Sequence, residues 1–207
     1  MELFFISFGA LFSVINPLGT LPIFIGLTQE KEKKVIIETA IRTAMNMLII
    51  LIIAFFFGQY MLSFFGISIQ SLKIAGGLII ATSGFALLTG NFTKHKGMKH
   101  REKEDAFTRS EISLTPLAIP MLAGPGSISL LISFHEQNKM VIEQITLVAA
   151  ILATCIITAI ILLSSRVIMK ALGASGINAL SRIIGFIVIS IGVEYVLSTV
   201  LSILKTV

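Results

Sequence analysis

The chain has 207 residues, of which 55% are hydrophobic and 13% charged, about half the charged share of a soluble domain, which argues against a water-soluble fold. Its net charge of +5 comes from 16 basic and 11 acidic residues gathered into a few stretches, so the question is which side of a membrane carries them. Once roughly six spans of about 20 residues are set aside, the loops are too short for a separate soluble catalytic domain.

Long uncharged runs cover residues 3–29, 43–72, 74–93, 112–134 and 144–165, and a sixth run, 183–204, is interrupted only by Glu194. Each is long enough to cross a bilayer as a helix. Span 1 lacks the basic leader and small-residue cleavage site of a signal peptide and is expected to stay in the mature protein. Its second half, SVINPLGTLPIFIGLT, sets Asn16, Pro17 and Gly19 near mid-span, where proline removes a backbone donor and clashes with the preceding turn. The helix should stop near Ile15, with Thr20 capping a new segment and Pro22 in its first turn.

Lys31, Lys33 and Lys34 follow, then Glu38 and Arg42, an i,i+4 pair that neutralises itself at the start of span 2. Asn46, and Thr154 in span 5, line a cavity or hydrogen-bond between helices. Span 3 carries Lys73 and the small residues Gly76, Gly77 and Gly84, which let helices approach closely. Residues 92–111 form the one long polar stretch. Its Lys and Arg residues alternate with Glu102, Glu104 and Asp105, which fits a cytoplasmic linker better than a nucleic-acid patch, and His95 and His100 lack the companions of a metal site.

Span 4 repeats the scheme of span 1: in AIPMLAGPGSISLLIS, Gly124, Pro125 and Gly126 form the break and Ser127 the cap. The single cysteine, Cys155, forms no intrachain disulfide and reads as a packed core residue of span 5. Arg166, Lys170 and Arg182 precede span 6, where Gly185 and Gly192 share a face with Ser181. Ser190, Glu194 and Ser198, at i, i+4 and i+8, form a stripe expected to face protein or water, with Glu194 either a proton carrier or an acid holding two helices together.

Sliding the chain on itself by 108 positions superposes Pro17 on Pro125, Gly77 on Gly185 and Gly84 on Gly192, and puts Lys73 one position from Arg182. With three spans per unit, the second copy enters from the opposite side, giving two inverted-topology repeats, 1–91 and 112–207, joined by the linker 92–111. The expected fold is therefore an all-α membrane protein of six transmembrane helices, with helices 1 and 4 broken. The bias of Lys and Arg toward loops 1, 3 and 5 makes those loops cytoplasmic and both termini external.

A break at membrane depth persists only where it is buried in protein or lines a polar cavity. The restarting half-helix offers N–H groups to a carboxylate and the stopping half offers carbonyls to a cation. Together they would hold a small zwitterion without a fixed counter-charge.

The motifs INPLGTLPIFIGLT (residues 15–28) and PLAIPMLAGPGSIS (residues 116–129), in a six-span chain of this length, resemble those of the MarC family of bacterial and archaeal integral membrane proteins, also called the neutral amino acid transporter family. The resemblance implies a multi-pass inner-membrane protein and uptake of small neutral amino acids such as glycine, alanine or serine. It implies site residues Asn16, Pro17, Gly19, Thr20 and Pro22 in the first half and Pro120, Gly124, Pro125, Gly126 and Ser127 in the second. The expectation is a secondary transporter and not an enzyme, without cofactor, resident metal or nucleic acid, coupled to a proton or sodium ion, in contact with lipid and its solute; oligomeric state leaves no mark in the sequence. Rival readings are an exporter of amino acids or other solutes, a membrane redox enzyme, and an assembly factor without transport.

Overall fold

Apolar runs of this length satisfy their backbone in lipid only as helices or closed barrels. The computed structural model describes residues 1–28, 31–90 and 113–205, and among these every regular element is a helix. In chain order they are α1 (Glu2–Ile15), α2 (Pro17–Thr28), α3 (Lys33–Phe64), α4 (Ile69–Leu88), the π-helical α5 (Ser113–Leu122), α6 (Pro125–Gln137), α7 (Val141–Leu163) and α8 (Ser165–Leu204). The linker 92–111, with His95 and His100, lies outside the described residues.

Among the described residues five stretches are long and apolar enough to cross a membrane: α1 with α2, α3, α4, α7, and Ser175–Leu204 of α8. Six were expected. The expected fourth span is represented by α5 and α6, of 10 and 13 residues on either side of 123–124, each short of a bilayer's thickness alone. Span 2 is also displaced, from 43–72 to Lys33–Phe64. Glu38 and Arg42 pair at 2.8 Å within its first turns, as their i,i+4 spacing predicts, so the helix runs back past the uncharged run to Lys33. Its end is set by Gly66, whose φ of 67° turns the chain, and by Ser68, whose hydroxyl accepts from the Ser71 N–H at 3.1 Å and caps α4. Helix α8 begins well before the expected 183, because Arg166, Lys170 and Arg182 are good helix formers; it leaves helical geometry only at Gly173 (φ 64°, ψ 175°).

One core, built on Leu11, Ile15, Phe24, Met47, Leu51 and Phe55, is closed by Leu117, Leu130 and Ile151 from the second half. Outside it, α4 lies against α8 in an antiparallel crossing. A Cβ added to Gly77 would stand 2.7 Å from the Gly192 carbonyl oxygen, and one added to Gly84 2.7 Å from that of Gly185. The glycines thus serve packing, as the small-residue pattern anticipated. Gly76 makes room for Ser129 of α6, whose hydroxyl donates to the Leu72 carbonyl at 3.2 Å.

The packed pairs have an internal order. Helix α1 packs on α7 and α5 on α3; α2 packs on α7 and α6 on α3; α6 packs on α4 and α2 on α8; α1 touches α6 and α5 touches α2. Exchanging α1–α4 for α5–α8 leaves these pairs in place, along with α3 on α7 and α4 on α8; the contacts of α1 with α8, of α7 with α8 and of α6 with α7 stand outside the pattern. Because the glycine contacts are backbone to backbone, Gly84→Val is expected to force α4 and α8 apart. We predict a loss of about 1–3 kcal/mol, read as a lower midpoint in thermal unfolding of the detergent-solubilised protein; an unchanged midpoint would mean the crossing is loose.

Candidate functional site

The residue before a proline is pushed out of the α region, and asparagine is among the few residues that enter the left-handed one readily. Asn16, ahead of Pro17, has φ 49° and ψ 66° and ends α1 at Ile15, where the sequence placed the stop. Its side-chain oxygen then accepts the Gly19 N–H at 3.1 Å, so Asn16 itself caps α2, with Pro17 at the first position. This corrects the assignment of the cap to Thr20. Thr20 is buried within α2, and its hydroxyl donates to the Asn16 carbonyl at 3.3 Å. Pro22 sits a turn further into the helix than expected.

At the second break α5 ends at Leu122, the Ala123 N–H reaches back to the Ala118 carbonyl, and Gly124 runs extended at φ −88° and ψ 172°. Pro116 and Pro120 lie in α5 and have no N–H to give, which accords with its wide winding. Gly124 takes the cap position of α6 with Pro125 following. Ser127, expected as the cap, is instead in the first turn, and its hydroxyl donates to the Gly124 carbonyl at 2.9 Å. Asn16 and Gly124 stand 108 positions apart, and the carbonyl of each accepts a hydroxyl from the restarting helix.

The two breaks are neighbours. A Cβ added to Gly126 would lie 3.4 Å from Val14, in the last turn of α1, and 3.0 Å from Ile80 of α4. Asn16, Thr20 and Ser127 are each at most 1% exposed, so most polar groups of the breaks are consumed inside the protein. One is left over: the Asn16 side-chain nitrogen is buried and has no hydrogen-bond partner. It lies beside Gly19, where any side chain would collide with it.

Gly19 is also the wall of a cavity of about 320 Å³ between α2, the end of α4 and α8. Pro22 and Ile23 continue that wall, and Thr89 and Gly90 close one side. Helix α8 contributes Asn178, Ser181 and Arg182, the Arg182 guanidinium standing 3.9 Å from where a Cβ on Gly90 would be. Helical spacing explains the trio, since residues three and four apart share a face. Arg182 has no acidic partner among the described residues. The cavity therefore combines a fixed positive charge, an amide and hydroxyls at one end of the first break, and a guanidinium is the group best shaped to hold a carboxylate by two parallel hydrogen bonds.

Sequence reasoning placed Arg182 among loop charges and Ser181 among packing residues, and did not single out Asn178. The available signal was the near superposition of Arg182 on Lys73 under the 108-residue shift, a charge recurring at the same depth in both halves. Glu194 is not part of this site: it is 12 residues beyond Arg182 on α8, about 18 Å along the helix, and is exposed on the outer surface together with Ser190 and Ser198. The stripe thus faces neither protein nor an internal cavity within the chain. Asn46 and Thr154 do not line the cavity; Thr154 donates to its own helix at the Ala150 carbonyl. Cys155 is buried, as the core reading expected.

A profile described as MarC family integral membrane protein matches residues 1–204. Among curated relatives, a UPF0056 membrane protein of Methanocaldococcus jannaschii is 34% identical over 198 residues, 96% of each chain. The UPF0056 inner membrane protein MarC of Citrobacter koseri is 33% identical over 205 residues, 95% of this chain and 93% of its own. The UPF0056 membrane protein YhcE of Escherichia coli is 30% identical over 195 residues, 94% of this chain and 90% of its own. No solved structure matches. With both motifs in place and the match running nearly end to end, the chain belongs to the MarC family of integral membrane proteins.

Proposed function

We propose that this protein is a secondary transporter of small neutral amino acids such as glycine, alanine or serine, residing in the inner membrane and working by alternating access. The observation that carries the reading is the cavity lined by both Gly19 and Arg182. A zwitterion needs an anion site and an ammonium site a few ångströms apart. Arg182 suits the carboxylate, while the hydroxyls of Ser181 and Thr89 and the amide oxygen of Asn178 suit the ammonium. A volume near 320 Å³ is at the low end for ligand pockets, which favours substrates of few atoms.

The exchange order of the helix pairs and the two related breaks support an inverted-repeat transporter with discontinuous first helices in each half. The Lys and Arg bias puts the cavity, at the loop-3 and loop-5 ends of α4 and α8, on the cytoplasmic side. The Asn16 amide would be the first group met by a solute moving inward from the cavity toward the breaks. Export through the same site is the second reading, favoured by the cavity's cytoplasmic end.

The test is uptake and release of labelled glycine, alanine and serine by proteoliposomes, with imposed proton or sodium gradients. Gradient-driven movement of at least one is expected, and its direction separates uptake from export while the effective gradient names the coupling ion. Folded protein that moved no amino acid under any gradient would overturn the proposal.

A further inference from the structure

Glu194 sits 10 residues before the end of the Ser175–Leu204 stretch, about 15 Å along the helix axis, which is near the middle of a hydrocarbon layer roughly 30 Å thick. It is exposed and, among the described residues, has no hydrogen bond or ion pair. Lipid offers no partner for a carboxyl at that depth, and such residues nearly always face protein or water. Neighbouring Ser190 satisfies its hydroxyl on its own helix, at the Phe186 carbonyl 3.1 Å away, and Ser198 does so at the Tyr195 carbonyl. Only the acid is left without a partner.

The surface around it has a definite pattern. Ile183, Ile187, Ser190, Glu194, Leu197 and Leu201 are all exposed and follow one another at alternating spacings of four and three residues. That is the seam a helix presents to another helix wound beside it, and it lies on the face of α8 opposite Gly185 and Gly192, which are buried against α4. A polar residue inside an otherwise apolar seam fixes register and partner number.

We infer that this face of α8 is the interface of a homodimer in the membrane, with Glu194 of each copy hydrogen-bonded to Glu194 of the other. The occupant follows from depth. Two copies inserted with the same orientation are related by an axis along the membrane normal, so a residue on the interface meets itself at its own level. A neutral carboxyl carries both a donor and an acceptor, and two of them facing each other exchange a pair of hydrogen bonds, satisfying both without any charge in the hydrocarbon. No other side chain on the seam needs a partner.

The experiment uses the full chain in lipid bilayers at varied protein-to-lipid ratio, with subunits counted by single-molecule photobleaching. Wild type is expected to dimerise. Glu194→Leu should weaken the dimer by about tenfold in dissociation constant, while Glu194→Gln, which also donates and accepts, should retain it. Because Glu194 is exposed and has no hydrogen bond or ion pair among the described residues, the Leu variant should fold normally. As an independent readout in a Cys155→Ala background, Leu197→Cys should form a disulfide-linked dimer under mild oxidation, whereas Ile53→Cys, on the exposed face of α3, should not. A monomeric wild type, a Glu194→Leu variant that dimerises as wild type does, or equal cross-linking at the two positions would each overturn the inference.

Discussion

Replacing Arg182 with Ala is expected to raise the apparent KM for amino acid movement by roughly 10- to 100-fold, the equivalent of losing a charge-assisted hydrogen-bonded pair of about 1.5–3 kcal/mol. The rate at saturating substrate should change less, since the guanidinium is proposed to bind the carboxylate without taking part in the conformational step. Arg182→Lys keeps the charge but not the planar fork, and should fall between the two. Exposure of Arg182 and the absence of an acidic partner among the described residues mean that folding should survive either change. Initial-rate measurements in proteoliposomes over a wide concentration range check this. An unchanged KM in Arg182→Ala would move the carboxylate away from this cavity.

The second large effect is expected at Asn16, where backbone and side-chain roles can be separated. Asn16→Ala forces alanine into a left-handed conformation and removes the cap on the Gly19 N–H, together about 2–3 kcal/mol. Asn16→Gly keeps the backbone geometry and loses only the side chain, so its unfolding midpoint should stay close to wild type. If the unpartnered amide nitrogen meets the substrate, both variants lose transport although only one loses stability. A glycine variant that transports normally would reduce Asn16 to a structural hinge. Gly19→Ala makes a complementary case, because its methyl group would push the Asn16 amide out of place while leaving every hydrogen-bonding group in the chain.

Those two residues also measure what the sequence discloses. The end of α1 at Ile15 was legible because proline acts locally on the residue before it, and no tertiary contact is needed to enforce the stop. The glycine face of α4 and α8 was legible for a similar reason, since helical spacing and small size travel together in the string. The caps were not. Asn16, Thr20, Gly124 and Ser127 all have the chemistry to cap, and choosing among them requires knowing which residue leaves helical geometry, an outcome decided in three dimensions. Helix bounds near charges were misjudged where Arg166 and Lys170 were treated as marking a loop, whereas each continues a helix. The cavity was the least legible of all. Arg182 and Gly19 are 163 positions apart, and only the packing of α2 on α8 brings them to the lining of one cavity.

The glycine crossing carries a consequence for how sequences of this kind can drift. Ordinarily a core residue that grows is rescued by a neighbour that shrinks, and such pairs leave a record of correlated change. Here the atom met by an added methyl at Gly84 is the backbone oxygen of Gly185, and at Gly185 it is that of Gly84. A partner that is already glycine has nothing left to give up. No compensating substitution exists within the pair, so Gly77, Gly84, Gly185 and Gly192 are expected to be held unchanged by selection acting on each alone, and to show no covariation with one another.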